Sequence, residues 1–152
     1  NTIKIICLGK IKEKFYRDAI SEYLKRLSKY CKIEIIELID EAIDDKNIAL
    51  LKEKEKILSK IKEKEYVITL EVDGIPLDSI EFSNKINNIL NINSNITFII
   101  GSSYGLDSSI KARANMHLSF SNMTFPHQLF RIILLEQIYR AFKIINNETY
   151  HK

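Results

Sequence analysis

Asn95-Ile96-Thr97-Phe98-Ile99-Ile100-Gly101-Ser102-Ser103-Tyr104-Gly105-Leu106-Asp107-Ser108-Ser109 is the stretch that decides the fold class of this chain. Residues 95–100 are rich in β-branched and aromatic side chains, as in a buried strand, and Gly101 stops the run. Asp107 and the serines after it open a brief helix. The same strand–loop–helix alternation extends outward on both sides. Toward the N-terminus, residues 3–8 read as a strand ended by Gly9. A helix follows, with Phe15, Ala19, Tyr23, Leu24, Leu27 and Tyr30 on one face, and residues 33–39 return to strand. Residues 40–45 form an acidic linker into the charge-dense segment 46–64, where Ile48, Leu51, Glu55, Leu58 and Ile61 make the stripe of a solvated helix. Residues 66–72 are the next strand, Asp73-Gly74-Ile75-Pro76 a turn, and Asp78 or Ser79 the cap of a helix reaching Leu90. Toward the C-terminus, residues 116–120 read as a short strand and 126–145 as the last helix.

The order βαβαβαβαβα, with no internal repeat, predicts an α/β fold: a mostly parallel sheet covered by helices on both faces. In such sheets ligands gather at the carboxyl ends of the strands, so the loops after Leu70, Ile100 and Phe120 are the ones to watch. The 152 residues fit a single domain, residues 1–152, with one core. A composition of 45% hydrophobic and 28% charged residues, with four glycines and two prolines, excludes disordered and Gly-rich repeat classes. No apolar run approaches the ~18 residues of a membrane span, and the opening residues lack a leader pattern, so a cytoplasmic protein is expected. Cys7 and Cys31 have no CxxC spacing and read as reduced structural thiols. No His, Cys or carboxylate cluster has metal-ligand spacing, so no metal is expected, and no nucleophile–base motif is visible.

The net charge of +3 is unevenly spread. Residues 1–95 balance 17 positive against 17 negative side chains, whereas residues 96–152 carry six Lys and Arg against three Asp and Glu. A C-terminal part facing a polyanion fits this, as does simple scatter of a few cations.

Four segments carry the chemistry. The loop Gly101-Ser102-Ser103-Tyr104-Gly105 fits close backbone approach to a ligand, but it is neither GxGxxG nor GKS/T, and a plain strand-to-helix turn fits it too. Residues 118–127 mix Ser119, Ser121, Asn122 and Thr124 with Phe120, Met123 and Phe125 ahead of Pro126 and His127. Backbone groups there fit an adenine edge with the apolar side chains on its faces; a core-lining connection is the alternative. The last helix is apolar nearly all round, which requires threading into the core or packing on a partner subunit. Within it Glu136 and Arg140 stand one turn apart as an ion pair. At the tail, Tyr150 suits base stacking, His151 titrates near neutrality and Lys152 suits a phosphate, although chain ends commonly fray. His117 and His127 read as structural.

Together, Phe98-Ile99-Ile100-Gly101, Gly105-Leu106, residues 118–127, Arg131, Glu136-Gln137-Ile138-Tyr139-Arg140-Ala141 and Tyr150-His151-Lys152 resemble the ribosomal large-subunit pseudouridine N3-methyltransferases. These are the smallest of the trefoil-knotted SPOUT methyltransferases. The resemblance runs from Ile5-Ile6-Cys7-Leu8-Gly9-Lys10 to Lys152 and is densest from Ile96 onward. It implies a C-terminal trefoil knot and a homodimer whose knotted regions build each active site. It implies S-adenosylmethionine held by Leu70, Gly101, Gly105 and Phe120, Ser121, Asn122, Met123, Thr124 and Phe125. By the same resemblance, the substrate is a pseudouridine of 23S ribosomal RNA, methylated at N3 on the assembled ribosome. His151 and Tyr150 would be catalytic, with His151 as proton acceptor or as hydrogen-bond partner of the developing anion. Arg131, Arg140 and Lys152 would hold RNA phosphate. The family's usual second glycine is replaced here by Ser102. Two rival readings are a ribosome-associated RNA-binding factor without activity and a flavodoxin-like protein. The second lacks a phosphate-cradling loop in Leu8-Gly9-Lys10-Ile11-Lys12.

Overall fold

The computed structural model describes residues 1–40 and 43–152. Glu41 and Ala42, in the expected acidic linker, lie outside the described residues. Among the described residues, five strands and five helices alternate: β1 (Thr2–Leu8), α1 (Lys14–Leu27), β2 (Lys32–Leu38), α2 (Lys46–Leu58), β3 (Tyr66–Pro76), α3 (Ser79–Ile92), β4 (Asn95–Ile100), α4 (Ser108–Arg113), β5 (Met116–Ser119) and α5 (His127–Ile145). All strand pairs are parallel, in the order β2-β1-β4-β3-β5. The carboxyl ends Leu38, Leu8, Ile100, Pro76 and Ser119 therefore share one edge of the sheet.

Period-two alternation splits the strand side chains between two cores. Ile3, Ile5, Ile68, Phe98 and Leu118 face α1, α3 and α5, where Leu27, Phe82, Ile86, Leu135 and Ile138 meet them. Ile6, Val67 and Ile99 face α2 and α4, where Ile57 and Ile110 cover them. Aspartates start three of the helices. Asp45 accepts from the Ile48 N–H, Asp78 forms a reciprocal capping box with Glu81, and Asp107 accepts from the Ser109 N–H.

Three local expectations need correction. Asp73-Gly74-Ile75-Pro76 is not a free turn: β3 continues to Pro76, pairing Leu70 and then Ile75 with Leu118 across a register shift. Gly74 permits this, because a Cβ there would lie 2.7 Å from the Leu118 carbonyl carbon. In α2 the buried residues are Ala49, Glu53 and Ile57, while Ile48, Leu51 and Leu58 are exposed. Phe15, placed on the inner face of α1, is also exposed and lies against Tyr16.

Candidate active site

The carboxyl ends of β3, β4 and β5 open into a cleft of about 480 Å³, the size of a small-ligand site. Leu70, Ile100, Gly101, Ser102, Ser103, Gly105 and Leu106 line one side, and Phe120, Ser121, Met123, Thr124, Phe125, His127 and Phe130 the other. The residues expected to hold a cofactor are thus brought together, except Asn122, which is exposed and does not line the cleft.

The glycine loop is tightly built. A Cβ on Gly101 would stand 2.5 Å from the Gly105 carbonyl oxygen, and Gly105 itself has φ +85°. Ser102 replaces the family's second glycine without strain: it has no positive φ, and it bridges to Gly105 and accepts from the Tyr104 N–H at 3.3 Å. The opposite wall rests on aromatic packing. Phe120 lies 5.2 Å from Phe130 and 6.2 Å from Phe82, and Phe125 lies 5.7 Å from Phe130. Met123 is largely exposed, and its N–H donates to Ser121 Oγ at 2.9 Å. His127 is an exposed residue on this wall. Partial burial and then the Arg131 charge hold its imidazole below the ordinary histidine range.

At the rim of the cleft stands a polar group that sequence reasoning missed. The Thr69 hydroxyl donates to Glu71 Oε2 at 2.6 Å and lies 2.8 Å from His117 Nδ1, which also contacts Glu71. Lys111 Nζ reaches Glu71 Oε1 at 3.4 Å. Burial pushes the Glu71 carboxyl up, but the Thr69 and His117 hydrogen bonds and Lys111 outweigh it and hold the group ionised below its usual range. Only its position was legible, as a charge inside the otherwise largely apolar end of the strand expected at residues 66–72. Glu71 and Lys111 both line the cleft, so its rim carries one charge of each sign beside an apolar interior.

The expected RNA contacts divide. Arg131 is 1% exposed, and its guanidinium donates to Glu37 Oε2, Leu8 O and Gly9 O, each at 2.8 Å. It clamps α5 to the end of β1, so the expectation that Arg131 meets phosphate is corrected: no face of it is free for a polyanion. Arg140 donates from Nη2 to Glu136 Oε1 at 2.9 Å and lies 4.7 Å over the Tyr150 ring. Tyr150 donates to Glu136 Oε1 at 2.9 Å and packs edge-on against Tyr139. Burial, then Glu136, raises the Tyr150 pKa, so its hydroxyl stays protonated. His151 and Lys152 are exposed, and none of Tyr150, His151 and Lys152 lines the cleft of their own chain. Among the described residues no group of His, Cys, Asp or Glu is arranged to hold a metal, and no helix is long and apolar enough to cross a membrane.

A parallel sheet covered on both faces, with a glycine-floored and aromatic-walled cleft at the ends of three strands, defines an α/β protein with a cleft of small-ligand size there. The chain belongs to the SPOUT methyltransferase family: the family described as "Predicted SPOUT methyltransferase" matches residues 2–151. It is 55% identical over 157 aligned residues to ribosomal RNA large subunit methyltransferase H of Clostridium beijerinckii, covering 99% of each chain. The protein of that name from Clostridium tetani is 52% identical, with 99% of each chain covered. Among solved structures, a probable methylase family protein from Haemophilus influenzae shares the fold. Its TM-score is 0.59 at 14% identity, over 99% of this chain and 70% of that one.

Proposed function

We propose that this protein transfers a methyl group from S-adenosylmethionine to N3 of a pseudouridine in the 23S RNA of the large ribosomal subunit. It would act in the cytoplasm, as a homodimer of single-domain subunits spanning residues 1–152. The observation that carries the reading is the cleft itself, in a chain that matches rRNA large subunit methyltransferases H end to end. The loop fits the cofactor: Gly101 packs so closely on the Gly105 backbone that no Cβ has room there, and Gly105 leaves open space at the cleft it lines. Phe120 and Phe125 would cover the adenine faces, with Leu70 beneath, while Ser121, Met123 and Thr124 offer backbone groups to its edge. Asn122 would shape that loop from outside. Glu71 would accept hydrogen bonds from the polar part of the same ligand.

Bound there, S-adenosylmethionine supplies an electrophilic methyl carbon on a sulfonium leaving group. The protein's task would then be alignment: the residues of the cleft and tail would hold the attacking nitrogen within about 3–3.5 Å of that methyl carbon. Two features support a partner subunit. The tail does not reach the cleft of its own chain, and α5 keeps a half-buried apolar row of Leu129, Ile132 and Ile133 beside its buried face. We infer that α5 is threaded as a trefoil knot, that knotted regions pair in the dimer, and that each tail closes the partner's cleft. Tyr150 would stack on or position the base, His151 would act at the imide, and Lys152 would meet phosphate, while Arg140, whose guanidinium is engaged by Glu136 and His151, would position the tail rather than hold phosphate.

The test uses labelled S-adenosylmethionine and ribosomes from cells lacking the relevant pseudouridine synthase. Label should enter large-subunit RNA that carries the pseudouridine but comes from cells lacking this methyltransferase, and not the pseudouridine-free RNA. Equal labelling of both would reassign the substrate.

A further inference from the structure

Arg140 has only donors, so its contact with His151 fixes more than a position. Its Nη1 lies 3.1 Å from His151 Nδ1, and a guanidinium cannot accept a hydrogen bond. Nδ1 therefore presents its lone pair, which leaves the proton of the neutral ring on Nε2. Resting on the methyl-transfer reading above, we propose that His151 acts as a hydrogen-bond donor, through Nε2–H, to a carbonyl oxygen flanking the imide nitrogen, with Glu136 and Arg140 as the positioning residues that hold this tautomer.

The guanidinium is not free to turn away. Its Nη2 and Nε donate to the two oxygens of Glu136 at 2.9 and 3.4 Å, and its face covers the Tyr150 ring. Tyr150 shares Glu136 Oε1 at 2.9 Å, so one carboxylate on α5 sets the arginine and the residue preceding His151 together. A proton acceptor role would require His151 to take the proton on Nδ1. That proton would face the Arg140 cation, break the contact and set two positive charges against each other. The charged groups around this cluster are Arg140 and Glu136 on α5, Lys152 in the tail, and Arg26 on α1, which lies over the Tyr23 and Tyr139 rings. Tyr150 is neutral.

In this arrangement the imide proton leaves to solvent water, and the negative charge spreads over the nitrogen and its two flanking oxygens. The Nε2–H donates to one of those oxygens and favours that anion. The nitrogen's pair then forms the bond to the methyl carbon, while the carbon–sulfur pair returns to sulfur, discharging the sulfonium to a thioether. His151 begins and ends the cycle neutral.

Nitrogen-15 NMR of the histidine-labelled free protein reads the tautomer directly, with His151→Gln identifying its signal among the three histidines. The expected result is a neutral ring with a protonated Nε2 and a bare Nδ1. A protonated Nδ1 overturns the proposal. Turnover gives a second reading: His151→Ala should lose about a hundredfold in kcat, while His151→Gln, whose carboxamide donates but takes up no proton, should stay about tenfold above it. Equal collapse of both variants, or an acid limb in the wild-type kcat profile that vanishes in His151→Gln, overturns the donor role. Arg140→Lys should retain more kcat than Arg140→Ala at unchanged cofactor affinity by calorimetry; a pure loss of fold stability in both would remove the positioning role. Wild-type protein that methylates no pseudouridine RNA would remove the underlying reading, and the role with it, whatever the tautomer.

Discussion

Arg131 and Arg140 share one helix and one charge, yet their surroundings separate them. Arg131 stands among apolar neighbours, Leu129 to Leu135, in a helix greasy on every side, which already implied burial; which groups would meet it depended on where α5 crosses the sheet. Those groups are Glu37 and two carbonyls at the end of β1. Arg131→Leu leaves the Leu8 and Gly9 carbonyls without this donor, while Glu37, which is exposed, keeps the Ile11 N–H; the unpaired buried acceptors cost about 1–3 kcal/mol. Urea unfolding should show a drop of that order, and a drop under about 1 kcal/mol would mean the clamp is dispensable. Glu71 is the opposite case, a charge whose use was hidden because Thr69, His117 and Lys111 meet it only after β3 and β5 pair. Glu71→Gln should weaken S-adenosylmethionine binding about tenfold by calorimetry, the scale of one charge-assisted hydrogen bond. Unchanged affinity would take Glu71 out of the site. Because its folded pKa is lowered, the stability it contributes is complete above the unfolded carboxylate pKa and is lost as pH falls through the folded value. The stability gap between wild type and Glu71→Gln should accordingly close in acid.

The elements were legible wherever hydrophobic period and turn chemistry agreed. Residues 3–8 and 95–100 are apolar strands ended by glycine, and both appear as β1 and β4 within a residue. α2 shows the failure. Its stripe was taken from the bulky residues Ile48, Leu51 and Leu58, but the face against the sheet is the one that lets α2 approach closely, carrying Ala49 and Ile57. Side-chain size misled where distance to the sheet decided. The segment Asp73-Gly74-Ile75-Pro76 has the composition of a turn, and it bends as one would, yet its backbone stays paired with β5 beyond the irregularity. The pairing rests on close approach at Gly74, so Gly74→Ala forces β3 and β5 apart against backbone that cannot yield. We expect a loss of about 1–3 kcal/mol, the scale of overpacking a closed site, together with weaker cofactor binding because β3 carries Leu70 and Glu71 to the rim. A variant as stable as wild type would show that the strand extension contributes nothing.

At the scale of the whole molecule, the sequence order of the elements predicted a parallel sheet, but not that β4 and β5 would flank β3 on opposite sides. That arrangement gathers the loops after β3, β4 and β5 into one cleft, and it sends α5 back across the sheet to lie against α1 and α3. The tail then leaves α5 on the Glu136–Arg140 side, outside its own cleft. If tails close the partner's site, two inactive proteins can repair one another. Gly101→Ala distorts the loop that lines the cleft, since its Cβ would meet the Gly105 carbonyl, and His151→Ala removes the acting group from the tail. In a mixed dimer the intact cleft of the second subunit faces the intact tail of the first. Random exchange of equal amounts makes half of the dimers mixed, each with one complete site, so about a quarter of wild-type turnover should return. Tails serving their own clefts would leave every site with one defect, and the mixture would stay as inactive as its components. Light scattering and thermal melting of each variant, run beside the activity assay, separate failed repair from failed folding or failed exchange.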